Sequence, residues 1–219
     1  MKHPLPALAL LLPLAAAPLS ESTAARGLKD ALRLATERAV ASTSRAGGFL
    51  DDPAIRIGLP GALSSVATAL RGIGMGAQVD ELELAMNRAA EKAAREATPV
   101  FADAISQMSF ADAGGILRGG DTAATEYFEK TTSEPLRARF APIVGRAMEG
   151  AGVGRLYEQL IGRYTSAVPF ARAPSLDLDA YVTEQTLAGL FRVVGEEEKK
   201  IRSNPAARAT DLLKQVFGR

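Results

Sequence analysis

Apolar residues recur along this chain at intervals of three and four, the spacing of a helix face, and no convincing stretch alternates with a period of two. Leu28, Leu32, Ala35 and Ala39 share one face of a helix expected over 27–41. Residues 42–48 break it. Asp51-Asp52-Pro53 then has the form of a cap followed by proline in a first turn, so a short helix or turn is expected there. Leu59-Pro60-Gly61 opens a segment with Leu63, Val66, Leu70 and Ile73 on one face, ended by Gly72, Gly74 and Gly76. The clearest helix runs over 79–97. Val79, Leu82, Met86, Ala89 and Ala93 form its stripe, while Glu83, Asn87 and Glu91 fall on its polar side, where Glu91 reaches Arg95 at i,i+4.

Pro99 restarts the chain, and Phe101, Ile105 and Met108 continue an apolar face. Ser109 with Asp112 makes an imperfect capping box for a helix over 110–118. A central turn follows, in which Gly119 and Gly120 suit a left-handed helix stop and Asp121 or Thr122 suits the next cap. A second break is expected over 131–135, with Ser133 capping before Pro135. Leu136, Phe140, Ile143 and Ala147 make the next stripe, and 150–154 is a turn. Val153, Tyr157, Leu160, Ile161, Tyr164 and Val168 line another face. After a loop over 169–176 containing Pro174, Asp177 or Asp179 caps a long helix carrying Leu187, Leu190, Phe191, Val194 and Ile201. The charges at 196–200 are assigned to its solvated side. Asn204-Pro205 stops it, and Leu212, Leu213, Val216 and Phe217 form a last short amphipathic helix. The expected fold is all-α, a single-domain bundle of about eight to ten helices joined by short Gly/Pro turns.

Composition narrows the chemistry more than the shape. The chain has 219 residues, 47% of them apolar, enough for one sizeable core. Its net charge of +1 gives no nucleic-acid footprint. There is no Cys and no Trp, and the single His is His3. Once the N-terminus is removed, no imidazole or thiolate remains as base, nucleophile or metal ligand. A Ser-His-Asp triad, a Cys-His pair and a typical zinc site are excluded in the mature chain. Carboxylate, Lys, Tyr and Ser/Thr chemistry remains. The absence of Cys also excludes a disulfide framework and a lipid-modified cysteine.

Residues 1–24 have the form of a secretory signal peptide, with the cut placed between 17 and 25. Lys2 supplies a positive start, 5–14 is apolar, and small residues follow at Ala15-Ala16-Ala17 and at Ser22-Thr23-Ala24. The apolar run is shorter than the ~20 residues of a spanning helix and is interrupted by Pro4, Pro6, Pro13 and Pro18. Residues 25–219 then form the single helical domain, with no later segment apolar enough to span a bilayer.

Four stretches together carry a resemblance. They are residues 49–57 (Phe-Leu-Asp-Asp-Pro-Ala-Ile-Arg-Ile), 81–89 (Glu-Leu-Glu-Leu-Ala-Met-Asn-Arg-Ala), 119–125 (Gly-Gly-Asp-Thr-Ala-Ala-Thr) and 196–202 (Glu-Glu-Glu-Lys-Lys-Ile-Arg). In order and spacing the chain resembles an exported bacterial family catalogued as domain of unknown function 4197, over about 27–218. Gly58 departs from it, since proline is expected there in relatives, which affects the turn and not the chemistry. The resemblance implies export, to the periplasm of a Gram-negative bacterium, and a helical fold. The family has no assigned activity, so no catalytic residue is carried over.

Candidate sites are few. Helix-start amides beside Gly119 and Gly120, with Arg118 near, suit an anion, but Asp121 is itself an anion at the cap, and capping is the default role. The turn lacks the full phosphate-loop pattern. Arg56 and Arg88 suit either ion pairs with carboxylates such as Glu83 or Asp121, or an arginine-lined pocket. The candidate ligand-binding residues are Arg56, Arg88, Arg118, Gly119, Gly120, Asp121 and Thr122. No catalytic residue, metal ligand or cofactor is assigned, and Asp51-Asp52 and Asp177/Asp179 are expected to cap helices. Phe101, Phe110, Tyr127, Phe128, Phe140, Phe170 and Phe191 are assigned to the core. The 212–217 patch is expected to dock on the protein's own core, with weak membrane-surface contact as the alternative. The expected function is non-catalytic binding or a structural role in the cell envelope, with an envelope protein or small ligand as partner and no nucleic acid. The alternatives are a carrier of a hydrophobic or anionic ligand, and an enzyme using carboxylate, Lys, Tyr or Ser/Thr groups.

Overall fold

A computed structural model describes residues 21–168 and 176–203, so the expectations for the leader before Glu21, for Phe170 and Pro174, and for Leu212, Leu213, Val216 and Phe217 concern residues outside the described ones. The first helix, α1 (Glu21–Ser44), buries Leu28, Leu32, Ala35 and Ala39 as its spacing requires. It is longer than expected at both ends, because Ala25 is also buried and Thr43 ties its hydroxyl to the Ala39 carbonyl at 2.7 Å. Asp51-Asp52-Pro53 starts no helix. It is a turn in which Asp52 Oδ1 accepts from the Ala54 amide at 2.9 Å.

A short 3-10 helix (Gly61–Leu63) leads into α2 (Ser64–Gly72), which buries Val66 and Leu70. Ile73, expected on that face, lies beyond the helix end and is exposed. Next come α3 (Gly76–Ala94), α4 (Ala97–Gln107) and α5 (Phe110–Arg118). Pro99 sits in the first turn of α4, where its missing N–H costs no helical bond. The Ser109–Asp112 capping box forms fully at the start of α5.

The central turn and the following helix depart from the sequence reading. Gly119 is extended, at φ −77° and ψ 178°, and the left-handed glycines are instead Gly47, Gly74 and Gly152. No break occurs near Pro135. One helix, α6 (Ala123–Gly150), runs through both Pro135 and Pro142. These prolines are seven residues apart and exposed, so the carbonyls they leave free, at Thr131 and Ala138, lie on the solvated face. On the opposite face Phe128, Thr132, Leu136, Phe140, Val144 and Met148 are all buried. That spacing of four is a ridge that packs into neighbouring helices, and its burial outweighs the lost backbone bonds.

Gly152 ends the turn after α6 in a left-handed conformation, and α7 (Val153–Ala167) follows. The last described helix is α8 (Leu178–Ser203), capped by Asp177, whose Oδ1 accepts from the Ala180 amide at 2.9 Å. Helices α1, α3, α6 and α8 pack on one another as the centre of a single helical domain. Helix α4 lies against α1 and α6, α5 against α1 and α6, and α2 with α7 against α3. Among the described residues there is no strand, and no helix is long and apolar enough to cross a membrane.

Candidate functional site

Three buried polar side chains hold the bundle together, although local pattern places all three on polar faces. Asn87 on α3 is fully buried. Its Oδ1 accepts from the Ile57 amide at 2.9 Å, and its Nδ2 donates to the Ile57 carbonyl at 2.8 Å and the Glu83 carbonyl at 2.7 Å. It therefore pairs with the 45–60 loop as a sheet neighbour would. Glu91, one turn on, does not reach Arg95. Its carboxylate accepts from the buried Phe49 amide at 3.3 Å and from Arg88 at 2.6 Å, while Arg95 donates to the Ser44 carbonyl. Tyr181 on α8 adds a hydrogen bond to the Gly58 carbonyl at 3.0 Å. A Cβ on Gly58 would meet nothing within 4 Å, so the turn has room for a larger residue.

The third is Glu198, which is buried and not on a solvated face. Its carboxylate accepts from the Ala124 amide at 3.0 Å, the Thr125 amide at 2.9 Å and the Thr125 hydroxyl at 2.8 Å. Arg202, one turn along α8, donates to the same carboxylate at 2.9 Å and to the Ile116 carbonyl at 2.9 Å. A carboxylate from α8 thus fills the anion-binding start of α6. Asp121, at the exposed turn, is not the group on these amides, and Thr122 donates instead to Glu126 at 3.0 Å. Gly195 faces Thr125 at this contact, where a Cβ would lie 3.4 Å from the Thr125 hydroxyl oxygen, an ordinary packing distance.

The remaining site candidates are dispersed. Arg56 pairs with Glu83 at 2.9 Å and Arg88 with Glu91. Arg88 and Arg118 line different recesses. Gly119 and Gly120 are exposed.

Two open recesses hold the chemistry that is left. One, about 470 Å³, lies where α6, α7 and α8 meet and is lined by Glu149, Asp177, Asp179, Arg155 and Tyr157 with Met148 and Val153. Burial, with Asp177 and Glu149 adding negative charge, raises the Asp179 carboxyl above its ordinary range. Burial likewise raises the Tyr157 phenol. Among the described residues no group of three or more His, Cys, Asp or Glu is disposed to hold a metal.

The other recess, about 500 Å³, is a groove between the start of α1 and α5. Phe110, expected in the core, stands at this groove and is 68% exposed. It follows the Ser109 cap directly, and only Ala113 and Ile116 of α5 turn fully inward. Ala24, Ala25, Ala113 and Leu117 line the groove, and Arg118 is its one charged residue. By contrast, the apolar recesses between packed helices hold only about 10 Å³ each, too little for a ligand.

The fold and its internal clamps define an all-helical, single-domain protein in which carboxylate and amide side chains lock the helices to one another and to the long 45–60 loop. The chain belongs to the family of proteins of unknown function DUF4197, whose family model matches residues 18–218, nearly the whole chain. Comparison with curated proteins and with solved structures gave no match.

Proposed function

We propose that this protein is an exported, non-catalytic component of a Gram-negative cell envelope that works by binding, and that it binds through the α1–α5 groove. The observation that carries this is Phe110, a large apolar side chain left 68% exposed beside an apolar groove, whereas the other phenylalanines among the described residues, at 49, 101, 128, 140 and 191, are buried. Exposing an aromatic ring forgoes burial worth about 1.5–3 kcal/mol, and this ring borders a groove of about 500 Å³ lined by Ala24, Ala25, Ala113 and Leu117. The apolar leader at 5–14 supports export. With Cys absent and His3 as the single imidazole, thiolate and imidazole chemistry is missing from the mature chain.

The test places a photo-crosslinking phenylalanine analogue at 110 in the protein expressed in its own cells, with the same analogue at the exposed Leu84 as control. A discrete adduct from position 110 that position 84 does not give is the expected result. Equal, diffuse labelling from both positions would remove the groove as the binding surface. Fractionation of the same cells reads the location, and a cytoplasmic pool of full-length chain would refute export.

The acidic cleft favours a second reading, an enzyme using carboxylates. Asp179 has the raised carboxyl that a general acid needs, beside Glu149 and Tyr157. Loss of a measured hydrolytic activity in Asp179→Asn, with the fold unchanged, would move the function there.

A further inference from the structure

We infer that the α1–α5 groove takes a single-chain anionic amphiphile, a fatty carboxylate, with its chain along α5 and its headgroup on Arg118. This rests on the proposed binding role of the groove and names its ligand class. The groove volume of about 500 Å³ falls in the range of small-molecule sites, about 300–1,000 Å³. Its walls are apolar from Phe110 at one end of α5 to Leu117 near the other, and Arg118 is the only charge among its lining residues. From 110 to 118 the helix rises roughly 12 Å at 1.5 Å per residue, the length of an extended chain of about ten carbons.

The guanidinium is placed for this by Gly114. A Cβ at Gly114 would lie 3.2 Å from an Arg118 terminal nitrogen, so Arg118 folds back over that bare stretch of helix towards the groove. Among the described residues no carboxylate pairs with Arg118, whereas Arg56, Arg71, Arg88, Arg137 and Arg202 each have one. A planar guanidinium with free donors at the end of an apolar channel complements a carboxylate, which it binds through two parallel hydrogen bonds. The acidic cleft has the opposite sign and does not suit this ligand.

The experiment titrates the full mature protein, purified from its own cells and delipidated, with dodecanoate below its micelle concentration. Isothermal calorimetry reads affinity, and methyl NMR reads the place. Saturable 1:1 binding is expected, with shifts at Ala113 and Leu117. Arg118→Gln is expected to weaken dodecanoate at least tenfold while leaving dodecanol unchanged. Phe110→Ser is expected to weaken both. Hexanoate is expected to bind at least tenfold more weakly than dodecanoate. No saturable binding, equal affinity in Arg118→Gln, or shifts confined to another face would each overturn the inference. A protein adduct from position 110 together with no dodecanoate binding would keep the groove and discard the amphiphile.

Discussion

Glu198→Ala is the most informative single change, because it removes one carboxylate on which two helices meet. Four donors converge on that group: the Ala124 and Thr125 amides, the Thr125 hydroxyl and Arg202. Ala124 and Thr125 are buried, so water does not replace the lost acceptor at those amides. Each buried donor left without a partner costs about 1–3 kcal/mol. Arg202, with only 12% of its side chain exposed, loses its counter-charge as well. Breaking a buried pair by removing one partner costs about 3–5 kcal/mol, and that is the expected loss here. In urea, with a slope of about 2 kcal/mol per molar, a loss of 4 kcal/mol lowers the midpoint by about 2 M. Glu198→Gln keeps one acceptor but turns an amide nitrogen towards a donor, so about half the loss is expected. Glu196→Ala is the control, since Glu196 is about half exposed in a 3.6 Å pair with Arg192 and is worth about 0.5 kcal/mol or less. Amide exchange at Ala124 and Thr125 reads the same effect locally. If Glu198→Ala and Glu196→Ala unfold within about 0.3 M of one another, at equal slope, the carboxylate clamp is not what secures α6.

Other outcomes follow from the same packing. Asn87→Ala removes both hydrogen bonds to Ile57 and is expected to cost about 2–4 kcal/mol by urea unfolding, with faster amide exchange at Ile57 than at the bundle centre. Gly189→Ala places a Cβ 2.6 Å from the Phe49 ring and is expected to destabilise by about 1–3 kcal/mol. Gly162→Ala on α7, where a Cβ meets nothing within 4 Å, is expected to stabilise by up to about 1 kcal/mol; the same sign for both would refute the packing. The Ser109 hydroxyl and amide hold the Asp112 carboxyl below its ordinary range, so the unfolded chain binds a proton there before the folded one does. The cap's contribution is complete above the ordinary carboxylate pKa and is lost as pH falls through the depressed folded value. Protection factors of α5 amides should fall on that acid limb, and Ser109→Ala, which removes the hydroxyl but keeps the backbone amide on Asp112, should weaken the dependence. Burial raises Asp179, so the sign reverses: its ionisation opposes folding as pH rises past the ordinary carboxylate value, and Asp179→Asn should flatten that part of the stability curve.

Much of the architecture was written in local pattern. The stripes of α1, α3, α7 and α8 came from spacing alone, as did the Ser109–Asp112 box and the Asp177 cap, because each depends on residues within one or two turns. Local rules failed wherever the deciding partner was distant. Pro135 suggests a break, but α6 continues because its other face is buried against α3, α4 and α8. Asn87, Glu91 and Glu198 look solvated by type, yet each also has a partner far along the chain, at Ile57, Phe49 and Thr125, 30, 42 and 73 positions away. Glu198 did leave a trace, since it sits four residues after Val194 and three before Ile201, in a slot of the apolar stripe. Phe110 left none: its type says core, and only the way α5 lies on α1 turns its ring outward. The sequence by itself determined the all-helical class, most of the helix stripes and which side-chain types the chain lacks, because periodicity and composition are local properties. Only the tertiary structure decided which polar groups are buried as clamps and which apolar surface is left open, because burial depends on what the rest of the chain brings alongside.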